Sequence, residues 1–135
     1  MKSLIPIAIV LAITSAYGIW YQRSRGVIKA KSKAGIISEE MIGVPLGSRA
    51  TLVQFSSAFC TPCRATRALL ESVTEDLHDV TYIDIDAEDN LELVRELNIL
   101  STPTTLILNS LGHEVGRAVG APKREQVLNA LAAIR

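Results

Sequence analysis

Two cysteines three positions apart, Cys60 and Cys63, are the residues of this chain whose type and spacing could do chemistry. They are the only cysteines among 135 residues, and Pro62 stands between them. Cysteines this close can cycle between a dithiol and a disulfide, because one thiolate attacks a partner disulfide and the other releases the mixed product. The spacing therefore predicts thiol–disulfide exchange.

The elements predicted around the pair favour this chemistry. Residues 50–57 read as a strand, and residues 61–77 have the three- and four-residue apolar spacing of a helix. Cys60 then lies at the helix N-terminus, where unpaired N–H groups and the macrodipole favour the thiolate. We expect Cys60 to be the nucleophile and Cys63, one turn below, to resolve the mixed disulfide. Pro62 stiffens the turn between them.

Three other interpretations of the pair remain at this point. A zinc site needs about four ligands, and only His78 and His113 are left as nitrogen donors. A structural disulfide would close a very short loop and stabilise the fold little. A redox-inactive domain could also carry the pair by chance. We predict no metal site and no cofactor beyond a redox-active disulfide.

The rest of the globular part alternates between strands and helices. The predicted elements are a strand at 80–87, a helix at 90–97, a strand at 104–108, a turn at 109–112, a strand at 113–119 and a helix at 122–134. The order β-α-β-α-β-β-α predicts an α/β fold of three layers, with helices on both faces of a central mixed sheet.

An uncharged run of eighteen residues, 4–21, precedes this domain. As a helix it would be roughly 27 Å long, close to the hydrocarbon thickness of a bilayer. Trp20 and Tyr21 at its end suit the lipid interface. We predict a transmembrane anchor at 1–21, a basic linker at 22–35 and a folded domain at 36–135. A cleaved signal peptide is the alternative.

Charge is distributed unevenly although the net charge is zero. Residues 1–33 hold six basic side chains and no acid, whereas the remainder holds eight basic and all fourteen acidic side chains. Five positive charges follow the apolar run and two precede it, so the positive-inside rule predicts a domain in the cytoplasm. The basic part is short and poor in aromatic residues, which favours a membrane surface over nucleic acid as its partner.

Residues 50–134 resemble the thioredoxin family. The resemblance is carried by Phe59-Cys60-Thr61-Pro62-Cys63, Tyr82-Ile83-Asp84-Ile85-Asp86, Thr102-Pro103-Thr104, Leu111-Gly112-His113-Glu114-Val115 and Val119-Gly120-Ala121. It implies a thioredoxin-like fold, a cis Pro103 beside the redox pair, and Thr102 as a backbone partner for an extended substrate. Gly120 would allow close approach of that substrate, and Phe59, Thr61 and Pro62 would complete the contact surface.

The chain departs from the family pattern beneath the redox pair. Gln54 aligns with the family's buried aspartate, which accepts the proton of the second cysteine, and Tyr82 aligns with the accompanying lysine. Thr61 replaces the common glycine, and Phe59 and Ser56 replace tryptophans. Gln54 and Arg64 are therefore candidates for tuning the pair.

These observations predict a membrane-bound thiol–disulfide oxidoreductase. Its partners would be a protein or small molecule that contains a disulfide, and an upstream reductase. A reducing cytoplasm would make it a reductant. The alternatives are an outward-facing protein that acts on exported proteins, and a non-catalytic binding module switched by its disulfide.

Overall fold

The computed structural model of the chain describes residues 4–24, 28–30 and 35–134. Within that part, the helices are α1 Leu4–Ser24, α2 Glu39–Ile42, α3 Thr61–Glu75, α4 Leu91–Glu96 and α5 Arg124–Ala132. The strands are β1 Ile28–Ala30, β2 Ala50–Ser56, β3 Val80–Asp86, β4 Thr104–Asn109 and β5 Glu114–Val119. From β2 onward, the predicted order of strands and helices is confirmed.

The strands form one mixed sheet in the order β1-β5-β4-β2-β3. Strands β2 and β3 are parallel, and the other neighbouring pairs are antiparallel. Strand β2 is buried along its whole length because it lies inside the sheet with helices on both faces. It carries the chain directly to the redox pair, so the position of Cys60 is fixed by the most buried strand.

Two hydrophobic clusters cover the two faces of the sheet, as the three-layer prediction requires. Phe55, Ile85 and Leu106 pack on one face with residues of α2 and α4. Leu52 and Leu70 pack on the other face with residues of α3 and α5. Successive residues of a strand point to opposite faces, so β2 contributes to both clusters.

Strand β1 lies inside the segment 22–35, which the sequence predicts as a linker. It pairs antiparallel with β5, and Ile28 stands opposite Ala118. Gly116 makes room for this strand, since a Cβ at Gly116 would lie 3.1 Å from Cγ2 of Ile28. A three-residue strand carries no periodic signal, which is why the sequence pattern does not reveal it.

Helix α1 extends three residues past the predicted anchor. Among the described residues it is the one helix that is long and apolar enough to cross a membrane, over Leu4–Arg23. None of that span is buried against the rest of the chain. A membrane anchor and a signal sequence share this length and composition.

A buried ion pair fastens strand β5 to the end of α4. The Arg117 guanidinium donates to both carboxylate oxygens of Glu114, at 2.7 and 3.0 Å, and to the Leu97 carbonyl at 2.8 Å. The Glu114 side chain has no exposure, and that of Arg117 is 16% exposed. The Glu114 charge is therefore removed from water and depends on Arg117, whose own charge is largely buried.

Candidate redox site

Cys60 and Cys63 are joined by a disulfide at the N-terminus of α3. Cys60 is the N-cap residue, and its sulfur accepts a hydrogen bond from the Cys63 backbone N–H at 3.2 Å. Cys63 is 1% exposed, whereas Cys60 is partly exposed. A partner can therefore approach Cys60 far more easily than Cys63.

The turn before the pair places an aromatic side chain at the surface. Phe59 has a φ of 58°, in the left-handed region, and its side chain is 97% exposed. An apolar ring held fully in water favours burial against a partner. Thr61 and Arg64 are exposed on the first turns of α3, where Arg64 donates its backbone N–H to the Cys60 carbonyl at 3.3 Å.

A second loop packs against the pair from the start of β4. The peptide bond between Thr102 and Pro103 is cis. The Thr102 hydroxyl lies 4.0 Å from the sulfur of Cys60 and shares a hydrogen bond of 2.9 Å with the Ser57 hydroxyl. Sequence reasoning missed Ser57, since nothing in its local pattern indicates a contact with a residue 45 positions away.

Four of the six predicted contact residues line one groove beside the disulfide, whereas Phe59 and Thr61 are exposed and are not among its lining residues. Pro62, Thr102, Pro103 and Gly120 line a groove of about 640 Å³. Gly120 has a φ of 90°, a conformation that side chains other than glycine rarely adopt, and it donates to the Pro103 carbonyl at 2.8 Å. The structure therefore brings together residues that are widely separated in the sequence.

The two residues that replace the family's charged pair contact each other directly. The amide nitrogen of Gln54 donates to the Cys63 carbonyl at 3.0 Å, and the Tyr82 hydroxyl donates to the amide oxygen of Gln54 at 2.7 Å. Gln54 has no exposure, and Tyr82 is half-buried. Burial raises the pKa of Tyr82 above its usual value, so the phenol stays neutral. This neutral chain fixes the backbone at Cys63 and offers no carboxylate to take its proton.

A Tyr82→Phe variant tests this chain through the pH dependence of stability. At pH 7 we expect a loss of about 1 kcal/mol in the free energy of unfolding, because one hydrogen bond disappears. Because the pKa of Tyr82 is raised only in the folded protein, the unfolded chain loses the phenol proton at a lower pH, near 10. The parent therefore loses stability above that pH. The difference between parent and variant should therefore shrink above about pH 10.

Denaturant unfolding between pH 7 and 11 measures this difference, and Tyr17→Phe in α1 is the control. Tyr17 is exposed outside the sheet domain, so its replacement should leave unfolding of that domain unchanged. A gap between parent and Tyr82→Phe that grows with pH would contradict the assignment.

The acidic residues near the site are engaged in local contacts. The Asp84 carboxylate accepts hydrogen bonds from Arg67 and from the Ser56 hydroxyl. Asp86 accepts from the Glu88 backbone N–H at 2.8 Å, which shapes the turn after β3. Within residues 4–24, 28–30 and 35–134, no group of three or more His, Cys, Asp or Glu side chains is arranged to hold a metal ion.

Comparison with known proteins decides what kind of redox site this is. The family model described as thioredoxin matches residues 42–133. The chain belongs to the thioredoxin family. The Cys60–Cys63 pair is accordingly the active site of a thioredoxin-type thiol–disulfide oxidoreductase, which works through a redox-active disulfide and no other cofactor.

Individual thioredoxins agree with this assignment. A thioredoxin of Chlamydia pneumoniae is 35% identical over 94 residues, which cover 70% of this chain and 91% of that relative. Thioredoxin H2 of Arabidopsis thaliana is 30% identical over 74 residues, and the match spans 55% of its length. The crystal structure of thioredoxin f from spinach chloroplast superposes with a TM-score of 0.57 at 31% identity, covering 64% of this chain and 77% of that one.

Proposed function

We propose that this thioredoxin is a membrane-anchored disulfide reductase in which Cys60 is the nucleophile and Cys63 the resolving thiol. The observation that carries the assignment of roles is the contrast in access. Cys63 is buried, whereas Cys60 is partly exposed and its sulfur lies 4.0 Å from the hydroxyl of Thr102, a groove residue. A nucleophile must reach the partner's sulfur, whereas a resolving thiol needs only to reach Cys60.

In the reduced protein, the Cys60 thiolate attacks one sulfur of the substrate disulfide. A new S–S bond forms between Cys60 and that sulfur, the substrate S–S bond breaks, and the leaving thiolate takes a proton. The Cys63 thiolate then attacks the Cys60 sulfur, closes the intramolecular disulfide and releases the second substrate thiol. The substrate gains two electrons and two protons, and an upstream reductase returns two electrons to the chain.

The site supports the first step through its helix. The N-terminus of α3 presents N–H groups to Cys60, and the Cys63 N–H already lies 3.2 Å from its sulfur. This arrangement stabilises negative charge on sulfur when Cys60 attacks and when it leaves. The second step lacks a carboxylate at Gln54, so we propose that the Cys63 proton passes to water or to the leaving substrate thiolate.

The groove suits a substrate segment in extended conformation. Thr102 would pair with the substrate backbone, and Gly120, which has no side chain, would let that backbone pass closely. Phe59 and Pro62 would cover apolar side chains next to the disulfide. The substrate class proposed on this basis is an exposed disulfide in a flexible polypeptide loop, with small disulfides as poorer substrates.

The anchor and its orientation belong to the same proposal. The span at Leu4–Arg23 would cross the bilayer once. The excess of positive charge after the apolar run favours retention of that flank, and so of the domain, in the cytoplasm. A reducing compartment keeps the pair as a dithiol and makes the protein a donor of electrons.

A Cys63→Ser variant tests the assigned roles. It keeps the nucleophile but cannot resolve, so we expect it to accumulate a mixed disulfide with its substrate that dithiothreitol reverses. Non-reducing electrophoresis of membranes from cells that express the full chain measures the complex. If the variant forms no complex and turns over like the parent, the roles are wrong.

The same variant reports the orientation after dithiothreitol has reversed the mixed disulfide and has been washed out, because Cys60 is then its only thiol. A membrane-impermeant maleimide should label Cys60 only after the cells are opened, and a permeant maleimide should label it in intact cells. Labelling of intact cells by the impermeant reagent would place the domain outside and would favour a role on exported proteins.

A further inference from the structure

The end of helix α1 lies beside the groove of the redox site. Gln22, two residues before the end of α1, lines the groove together with Pro62, Thr102, Pro103 and Gly120. The helix that the proposed function places in the membrane therefore ends where the substrate is expected to bind.

The register of β1 explains this placement independently. Ile28, the first residue of β1, pairs with Ala118, which lies only two residues before Gly120 of the groove. Four residue steps separate Ser24 at the end of α1 from Ile28. An extended chain covers at most about 14 Å in four steps, so the membrane end of α1 is tied to the active-site end of the sheet.

We propose that the groove faces the membrane surface and that the substrates of this thioredoxin are disulfides of membrane-bound proteins, held close to the lipid headgroups. The proposal rests on the proposed function, in which α1 anchors the protein in the membrane. It adds to that function the direction in which the groove faces and the class of substrate. The short connection keeps Cys60 near the bilayer, so a disulfide confined to the same surface meets it at a raised effective concentration.

The charges around the tether agree with this orientation. Lys123 and Arg124 are exposed at the start of α5, shortly after Gly120 of the groove, with the single exposed acid Glu125 beside them. Helix α5 contacts β1, so it lies toward the edge of the sheet that the tether enters. The exposed acids Glu88 and Asp89 follow β3, at the opposite edge of the sheet. Four strand spacings of about 4.8 Å separate those edges by roughly 19 Å. A domain tilted about its tether can thus bring Lys123 and Arg124 to anionic headgroups and keep Glu88 and Asp89 away.

Single-tryptophan variants test the direction that the groove faces. In a Trp20→Phe background, which removes the native tryptophan, Phe59→Trp places a probe beside the active site and Leu111→Trp places one in the turn between β4 and β5. Both native side chains are exposed, so both probes start from water. The probes lie at opposite ends of the sheet, separated by a strand of roughly 20 Å.

Each full-length variant is placed in vesicles of phosphatidylcholine and phosphatidylglycerol, with or without lipids that carry a spin label on the headgroup. We expect the label to quench the probe at position 59 at least about threefold more than the probe at position 111. Equal quenching, or stronger quenching at position 111, overturns the orientation.

A spacer variant tests the substrate class. Eight Gly and Ser residues inserted after Ser24 add a mean span of roughly 16 Å. At equal total concentration, the parent should reduce a disulfide peptide linked to phosphatidylethanolamine at least about tenfold faster than the same peptide free in solution, and the spacer should lower that ratio severalfold. A ratio near one for the parent, or a ratio unchanged by the spacer, overturns the inference.

Two further measurements separate this inference from the proposed function. Turnover of the free peptide in detergent tests the redox chemistry without the membrane, and flotation with the vesicles tests the anchor. Active, anchored protein with equally quenched probes means that only the orientation is wrong. Protein that does not float with vesicles removes the basis of both proposals.

Discussion

A Cys60→Ser variant is expected to reduce disulfides at least about a thousandfold more slowly than the parent, at the rate of the added reductant alone. In the proposed mechanism the reaction begins when a thiolate at Cys60 attacks, and a serine hydroxyl is not ionised at neutral pH. Cys63 cannot take over, because it is 1% exposed and lies behind Cys60 at the first turn of α3. The measurement is turnover of a disulfide peptide by the full chain in detergent, with excess dithiothreitol.

The matched control is Cys63→Ser, which makes the same chemical change at the buried position. With excess dithiothreitol, Cys63→Ser should keep part of the turnover, because the reductant can resolve its mixed disulfide, whereas Cys60→Ser should keep none. Without dithiothreitol, only Cys63→Ser should accumulate the mixed disulfide, because only it keeps the proposed nucleophile. Thermal unfolding of both, compared with the reduced parent, separates loss of chemistry from loss of fold. If Cys60→Ser forms the complex and Cys63→Ser does not, the two roles are exchanged.

The redox pair is predictable from sequence because its chemistry is local. A strand, two cysteines and an apolar helical pattern follow one another within a short stretch, so the position of Cys60 at a helix start needs no tertiary information. The groove, in contrast, is not predictable from local sequence. Thr102, Pro103 and Gly120 reach the pair only through pairing of β4 with β2 and β5, and their assignment from sequence depended on the family resemblance.

The hydrogen bond between Gln54 and Tyr82 could not be predicted from the sequence. Both residues are identifiable as departures from the family pattern, yet their hydrogen bond depends on the parallel register of β2 and β3. That register places Leu52 opposite Tyr82 and brings the phenol within reach of the buried amide. A slip of one residue would turn Tyr82 to the other face of the sheet.

The pair of Glu114 and Arg117 depends on an irregularity in the sheet. Residues three apart in a regular strand point to opposite faces. The register between β4 and β5 shifts between Ile107 and Leu108, so Val115 is an extra residue without a partner. A bulge of this kind lets the side chains of Glu114 and Arg117 lie on the same face of the sheet. No pattern in the sequence predicts this bulge.

An Arg117→Met variant is expected to lower the free energy of unfolding by about 3–5 kcal/mol, the cost of leaving a buried charge without its partner. Methionine retains the length and apolar stem of arginine, so the loss reports the charge and its hydrogen bonds more than packing. Glu114, whose side chain has no exposure, would lose its cation, and the Leu97 carbonyl would lose a donor. Urea unfolding of the oxidised protein in detergent measures the change.

The control is Arg124→Met. Arg124 is exposed and, among the described residues, hydrogen-bonds only to the Ser72 hydroxyl. Its replacement should therefore change the free energy of unfolding by at most about 0.5 kcal/mol. A double variant, Glu114→Leu with Arg117→Met, should recover more than half of the loss, because an apolar pair leaves no buried charge. If Arg117→Met is as stable as Arg124→Met, the pair does not hold β5 in place. Below the unfolding transition, turnover per folded molecule should stay near that of the parent, since Cys60 and Cys63 are untouched.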